Sequence, residues 1–196
     1  MTENLDPDAQ LMLRFTRGDE SCFIELVKSH KQRVFAFAYR FLGNAADAED
    51  AAQEVFIKVY NAREKYAVKA KFTTWLFVIT RNTCMNYLAR RNKSSMVLSL
   101  DSEPDDREDS AALQVADIKD RPPMESILND ELSAAVKKAL DSLPENQKTA
   151  VLLSRYEELS YEAIAEIMGC SVKAVKSLLH RAKTGLKGKL AGFLKI

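Results

Sequence analysis

The stretch LSYEAIAEIMGCSVKAVKSLLHRAK, residues 159–183, decides the fold of the second half of the chain. Ser160 and Ser171 each stand immediately before an apolar-periodic run. A serine hydroxyl at that position accepts a hydrogen bond from an orphan N–H of the first helical turn, so both are predicted N-caps. Gly169 lies between the two runs, where a tight turn needs positive φ. Two short helices joined by so brief a turn predict a helix-turn-helix. On a wheel at about 100° per residue, Val172, Val175, Leu178, Leu179, Ala182 and Leu186 share one face, which should pack on Ile164 and Ile167. Lys173, Ser177, His180 and Thr184 lie opposite, Arg181 sits at one edge, and Lys176 and Lys183 flank the other side of the apolar stripe. Such a face can offer donors to base edges while its rims reach phosphates. A solvated basic helix in a bundle would carry the same outer face. The cap–helix–glycine–cap order favours the DNA-reading alternative, and for His180 only its outward position argues for contact.

Working outward, every other patterned segment also reads as helix, and no alternating strand pattern of useful length occurs. Upstream of the helix-turn-helix, helices are expected at about 124–142 and 145–157, with Pro144 at a helix start, and the final helix is expected to run to about Leu194, with Gly185 or Gly188 as points for a break. In the first half, Asp6 as N-cap, Pro7 at the first helical position and Gly18 as terminator predict a short helix. A longer one follows from about Asp19 to Leu42, closed by Gly43, with Phe23, Leu26, Val27, Val34, Phe37, Ala38 and Phe41 at helical spacing. A third starts after Asn44 and a fourth near Thr73, the latter ending in a basic cluster. The expected fold class is therefore all-α, in two small helical domains, 1–93 and 124–196.

Between them lies SLDSEPDDREDSAALQVADIKDRPP, rich in Asp, Ser and Pro. Such a composition buries too little apolar surface to offset its ordering entropy, which predicts a flexible acidic linker over 94–123 with at most a short helix near Ala111–Val115. The alternative is a nucleic-acid mimic that occupies a basic channel. The net charge of +1 conceals this asymmetry. Residues 1–95 hold 15 Lys/Arg against 11 Asp/Glu, residues 96–131 hold 3 against 11, and residues 132–196 hold 11 against 6. Two mildly basic blocks flank an acidic one, and neither alone has the excess of a protein that holds DNA unaided.

Cys22, Cys84 and Cys170 are odd in number and far apart, as expected of reduced thiols in a cytoplasmic protein. His30 and His180 give no metal-ligand spacing, and no nucleophile elbow, P-loop or dinucleotide fingerprint is present. The expectation is a non-enzyme with no cofactor and no metal. No apolar run approaches the ~18 residues of a membrane span, and the N-terminus lacks the pattern of a signal peptide.

At this point a resemblance becomes specific. The segment SLPENQKTAVLLSRYEELSYEAIAEIMGCSVKAVKSLLHRAK resembles region 4 of bacterial sigma factors, while DAEDAAQEVFIKVY and FTTWLFVITRNTCMNYLARR resemble their region 2. Order and size look like the compact extracytoplasmic-function (ECF) group, which keeps regions 2 and 4 and lacks regions 1.1 and 3. The resemblance implies a subunit that binds core RNA polymerase, through the clamp coiled coil of the largest subunit and the flap of the second-largest, and directs it to promoter DNA. It also implies an anti-sigma factor as a further partner. The clamp-binding helix of the family matches Asp50, Gln53, Glu54 and Phe56; Asp47, Asp50 and Glu54 give that helix an acidic face suited to a basic coiled coil, although acids near a helix start also favour the macrodipole. The −10 reader matches the helix bearing Trp75, Leu76, Phe77 and Ile79, read as core, followed by Arg81, Asn82, Asn86, Arg90 and Arg91. Asn82 and Asn86 are base-contact candidates; Arg90 and Arg91 suit phosphates. The loop before it matches the segment that captures an extruded base. It carries Lys69 and Lys71, with Ala67 and Val68 where family members often have Arg-Gly. The −35 contacts match Lys176, Ser177, His180 and Arg181, with Lys173 and Lys183 beside them. Lys176 stands where Arg is common, and lysine lacks the planar bidentate fork.

Two other readings compete. An autonomous helix-turn-helix regulator would explain the second half but has no use for the region 2 pattern. A helical hydrolase or metal enzyme built on the acids between Asp47 and Glu54 lacks matching histidines or a second carboxylate pair.

Overall fold

The computed structural model describes residues 6–98 and 123–193, with side chains over 6–93 and 131–193. Among these, eight α-helices and one 3-10 turn follow in order: α1 Pro7–Thr16, α2 Glu20–Leu42, α3 Ala45–Asn61, a 3-10 turn Arg63–Lys65, α4 Phe72–Leu98, α5 Pro123–Asp141, α6 Glu145–Arg155, α7 Tyr161–Met168 and α8 Val172–Lys189. The all-α expectation holds. The helix starts behave as their chemistry demands: Asn44, Ser160 and Ser171 each accept a backbone N–H three residues on. Gly43 and Gly169 close α2 and α7 at φ 88° and 62°, which a residue with a Cβ would adopt only under strain.

Three expectations shift. α4 continues to Leu98, past the expected domain end, and α5 begins at Pro123, so the segment 99–122, with the short helix expected near Ala111–Val115, lies outside the described residues. α8 runs unbroken through Gly185 and Gly188 and ends at Lys189 instead of Leu194. Asp6 sits at the N-cap position of α1, yet its carboxylate makes no bond to that helix; Oδ2 accepts the N–H of Phe72, the first residue of α4, at 3.0 Å.

Two apolar clusters belong to single halves. In the first, Met12, Phe15, Leu26, Val34, Val55, Val59, Phe72 and Leu76 bind α1 to α2, α3 and α4. In the second, Leu140, Leu143, Val151 and Ala182 join α5 and α6 to α8. The third cluster is shared. Phe37, Phe41 and Leu42 of α2, with Phe77 and Cys84 of α4, are buried together with Leu152 and Leu153 of α6, Ile164 and Ile167 of α7 and Val175 of α8. Each such side chain removed from water contributes about 1.5–3 kcal/mol, so the shared cluster is a substantial adhesive between the halves.

Polar contacts fix the register of that packing. Lys148 on α6 is buried, and its ammonium donates to the carbonyl of Phe41 at 2.9 Å and to Asp141 at 2.6 Å. Arg33 Nε donates to Glu157 Oε2 at 3.0 Å, and the Arg40 guanidinium lies 4.2 Å from the ring centre of Tyr156. Burial pushes the Glu157 carboxyl above the ordinary glutamate range, against the opposing pull of Arg33 and Arg40.

The raised carboxyl predicts a pH signature. The stability that Glu157 contributes is fully present below the ordinary glutamate value and is lost as pH rises through the raised one. Glu157→Gln removes that titration. Over the pH window that opens at the ordinary glutamate value and runs upward, the melting temperature of the variant relative to wild type should therefore climb. Calorimetry at several pH values measures it, and a relative midpoint that falls across this window would contradict the burial argument.

Candidate functional site

Among the described residues, three exposed surfaces carry the candidate side chains. The first lies between α2 and α3. Phe23, Val27 and Lys31 of α2 face Ala52, Gln53, Phe56, Ile57 and Tyr60 of α3 across a groove of about 580 Å³. Ile57 is 59% exposed and Ile24, on α2, 54%. An apolar strip this open is uncommon at a helix pair with no other role. Lys31 is the charged residue that lines it, and on α3 beside it Asp50 and Gln53 are exposed and Glu54 and Phe56 half-buried. Glu54 turns toward α4: its carboxylate pairs with Lys58 at 2.7 Å, and Lys58 donates on to Thr83 at 2.9 Å. That hydrogen bond from Lys58 is the main reason the Glu54 carboxyl sits below its ordinary range. Of the two acids matched to the clamp, Asp50 is thus the more openly presented. The sequence reading assigned Phe23 and Val27 to the apolar stripe of α2 without separating them from its core. The signal that could have done so is Ile57, which falls on the polar side of α3 with Asp50 and Gln53.

The second surface is the loop 67–71 and the outer face of α4. Tyr66 and Phe72 are buried at its two ends, while Ala67, Val68, Lys69 and Lys71 between them are exposed. Tyr66 packs edge-on against Trp75 at 5.0 Å and near Phe72 at 6.3 Å. Burial, and then the charges of Asp6 and Asp8, push its phenol up to about 12. On α4, Asn82, Asn86, Arg90 and Arg91 are exposed, with Asn82 and Asn86 one turn apart on one face. Arg81 is half-buried, its Nε shielded from solvent and its Nη1 donating to Asn82 at 3.3 Å. Arg91 donates to the carbonyl of Leu42 at 3.2 Å, so it also serves the fold. Trp75, read as core, packs partly buried in the first-half cluster.

The third surface is the outer face of α8. Lys173, Lys176, Ser177, His180, Arg181 and Lys183 are all exposed, while Val175 and Ala182 turn inward. Ser177, His180 and Arg181 fall within one turn. The Lys176 ammonium lies 5.9 Å from the ring centre of Tyr161, which draws it toward α7 and away from the centre of that face. Among the described residues no helix is long and apolar enough to cross a membrane, and no group of three or more His, Cys, Asp or Glu could hold a metal ion. Cys22 and Cys84 are buried, and burial pushes the Cys84 thiol up to about 12, which leaves it inert at neutral pH.

The Sigma-70 region 2 family profile matches residues 26–94, and the Sigma-70 region 4 profile matches residues 133–186. The RNA polymerase sigma-H factor of Pseudomonas aeruginosa is 37% identical over 97% of this chain and 97% of its own length. The ECF RNA polymerase sigma-E factor of Haemophilus influenzae is 36% identical over 97% of this chain and 98% of its own. A sigma factor RpoE solved with the anti-sigma factor NepR from Bartonella quintana shares the fold at a TM-score of 0.65 and 23% identity, covering 86% of this chain and 96% of that one. Likeness along the whole length, through both halves and in the order the two regions require, makes this chain a member of the ECF group of bacterial RNA polymerase sigma factors.

Proposed function

We propose that this sigma factor docks on core RNA polymerase through the α2–α3 groove and the exposed Asp50 of α3, holds the opened −10 element with the 67–71 loop and the outer face of α4, and reads the −35 element with α8. The observation that carries the reading is that one chain exposes an apolar groove, with Asp50 open on the same helix, and two separate polar helix faces, each with the donors its target requires. An autonomous helix-turn-helix regulator would need only the third surface, and its relatives would not extend through both halves.

The division of labour follows from chemistry. The groove offers Phe56 and Ile57 to apolar side chains of a coiled coil, while Asp50 steers its basic flank. An unpaired strand presents base edges and phosphates together. Asn82 and Asn86 can pair with the former, and Lys69, Lys71 and Arg90 can neutralise the latter. Duplex DNA at −35 keeps its bases in the major groove, where Ser177, His180 and Arg181 on one helical turn can reach adjacent edges and Lys173, Lys176 and Lys183 can meet the backbone. The second-half contact to the polymerase flap and an anti-sigma factor complete the proposed partners. The chain is then a cytoplasmic binding subunit, and the nucleotidyl transfer belongs to the polymerase.

Run-off transcription with core polymerase and genomic fragments tests the whole: added chain should create new start sites, and unchanged transcripts would reject the function. Two sharper expectations follow. Asp50→Ala combined with Ile57→Ala should leave the melting temperature nearly unchanged, since exposed positions shift stability by about 0.5 kcal/mol, yet should clearly weaken holoenzyme formation in a pull-down. Undiminished capture would remove the groove from the polymerase interface. His180→Ala should alter the −35 sequence selected from a random library, at a cost of about 1–3 kcal/mol at one base pair. Lys183→Ala should weaken binding without re-ranking sequences. An identical consensus from wild type and His180→Ala would end the reading role of His180.

A further inference from the structure

The 67–71 loop has no internal lattice of hydrogen bonds to hold it. Inside it one backbone bond forms, from Lys69 N–H to the carbonyl of Ala67 at 2.9 Å, and at its far end the Lys71 carbonyl accepts the N–H groups of Thr74 and Trp75 at 3.0 and 3.3 Å as α4 begins. Its geometry is imposed from its two ends, Tyr66 and Phe72, and the Phe72 end is gripped from the beginning of α1. The Phe72 N–H, an orphan donor at the first turn of α4, is taken by Asp6 across 66 residues of sequence. The Asp8 carboxylate meets Nε2 of His30 at 2.8 Å, and the buried His30 ring lies 5.4 Å from the ring of Phe72. Tyr66 is buried with its hydroxyl unpaired, so packing alone fixes it against Phe72 and Trp75.

Helix α1 itself carries none of the DNA-facing residues described above. Its own N-cap position goes without a side-chain bond, because the carboxylate that could supply one is spent on α4. A short polar residue that leaves its own helix uncapped to cap a distant one is acting on the distant one. A negative charge at that end also matches the positive end of the α4 dipole.

We propose that Asp6 is a positioning residue for −10 recognition. By capping α4 at Phe72 it fixes where the 67–71 loop ends and the helix begins, and so where Lys69, Lys71 and the Asn82–Asn86 face stand relative to one unpaired strand. This rests on the assignment of that loop and face to the −10 element. Asp6 touches no DNA; it acts through the Phe72 N–H, and Asp8 with His30 braces the same corner from the side.

The test uses holoenzyme and a forked DNA. Its non-template strand is left single over the −10 sequence that wild-type holoenzyme selects from a random library. Asp6→Ala should bind the fork about tenfold more weakly, the size of a lost cap. Its affinity for core polymerase should stay within about twofold of wild type, since the groove is a separate site. Asp6→Asn keeps an oxygen acceptor and should recover most of the fork binding. Fork binding by Asp6→Ala equal to wild type overturns the proposal. So does an equal loss of core binding, which would mark α1 as a general brace, and so does failure of Asp6→Asn to restore binding. Wild-type holoenzyme that ignores the single strand altogether would instead overturn the −10 assignment, and this role with it.

Discussion

The carboxyl end of α2 is the point on which the arrangement of the molecule depends. A helix ends with carbonyls that have no partner of their own, and near a core these are costly to leave bare. Here the Phe41 carbonyl is taken by Lys148 from the second half and the Leu42 carbonyl by Arg91 from α4. A buried ammonium is itself expensive unless it is paired. Lys148 meets that condition with a carbonyl at the negative end of a helix dipole, the Asp141 carboxylate and the ring of Phe41 at 5.9 Å. Each group solves the other's desolvation problem, and the solution exists in one register only.

The rest of the architecture follows from that register. With α6 set on the end of α2, α7 comes to rest on α4, and Ile164 and Ile167 enter the same cluster as Phe77 and Cys84. Both α4 and α8 therefore commit their inner faces to packing. What is left exposed is the outer face of each, together with the α2–α3 groove, which lies outside the shared cluster at Phe23, Ile57 and Tyr60. The proposed binding surfaces are peripheral because the interior is already in use.

Much of this was legible in the sequence for reasons that can be named. Caps and glycines are local chemistry: Asn44, Ser160, Ser171, Gly43 and Gly169 act on residues at most four away, so the helix ends could be read directly. The outward face of α8 follows from a wheel, since packing on α7 consumes the stripe that the wheel identifies. Apart from the unbroken run of α8 through its glycines and the extra turn of α4, the illegible features are long-range. Asp6 looks like the cap of its own helix and serves another, because the competing donor at Phe72 lies far along the chain. Lys148 reads as an ordinary surface lysine of an amphipathic helix until its partner carbonyl on α2 is known. The composition of 94–123 gave no sign that the inner faces of the flanking halves would share one core.

That shared core gives the molecule a thermal character. Any state in which the halves part must wet Phe37, Phe41, Phe77, Leu152 and Ile164, all of which are at most 2% exposed as they stand. Wetting apolar surface carries a positive heat-capacity increment, so the free energy of parting follows a curve in temperature with a maximum, falling away on either side. Adhesion between the halves is thus greatest at some intermediate temperature and weakens with both warming and cooling. A polar interface of equal strength would have no such optimum.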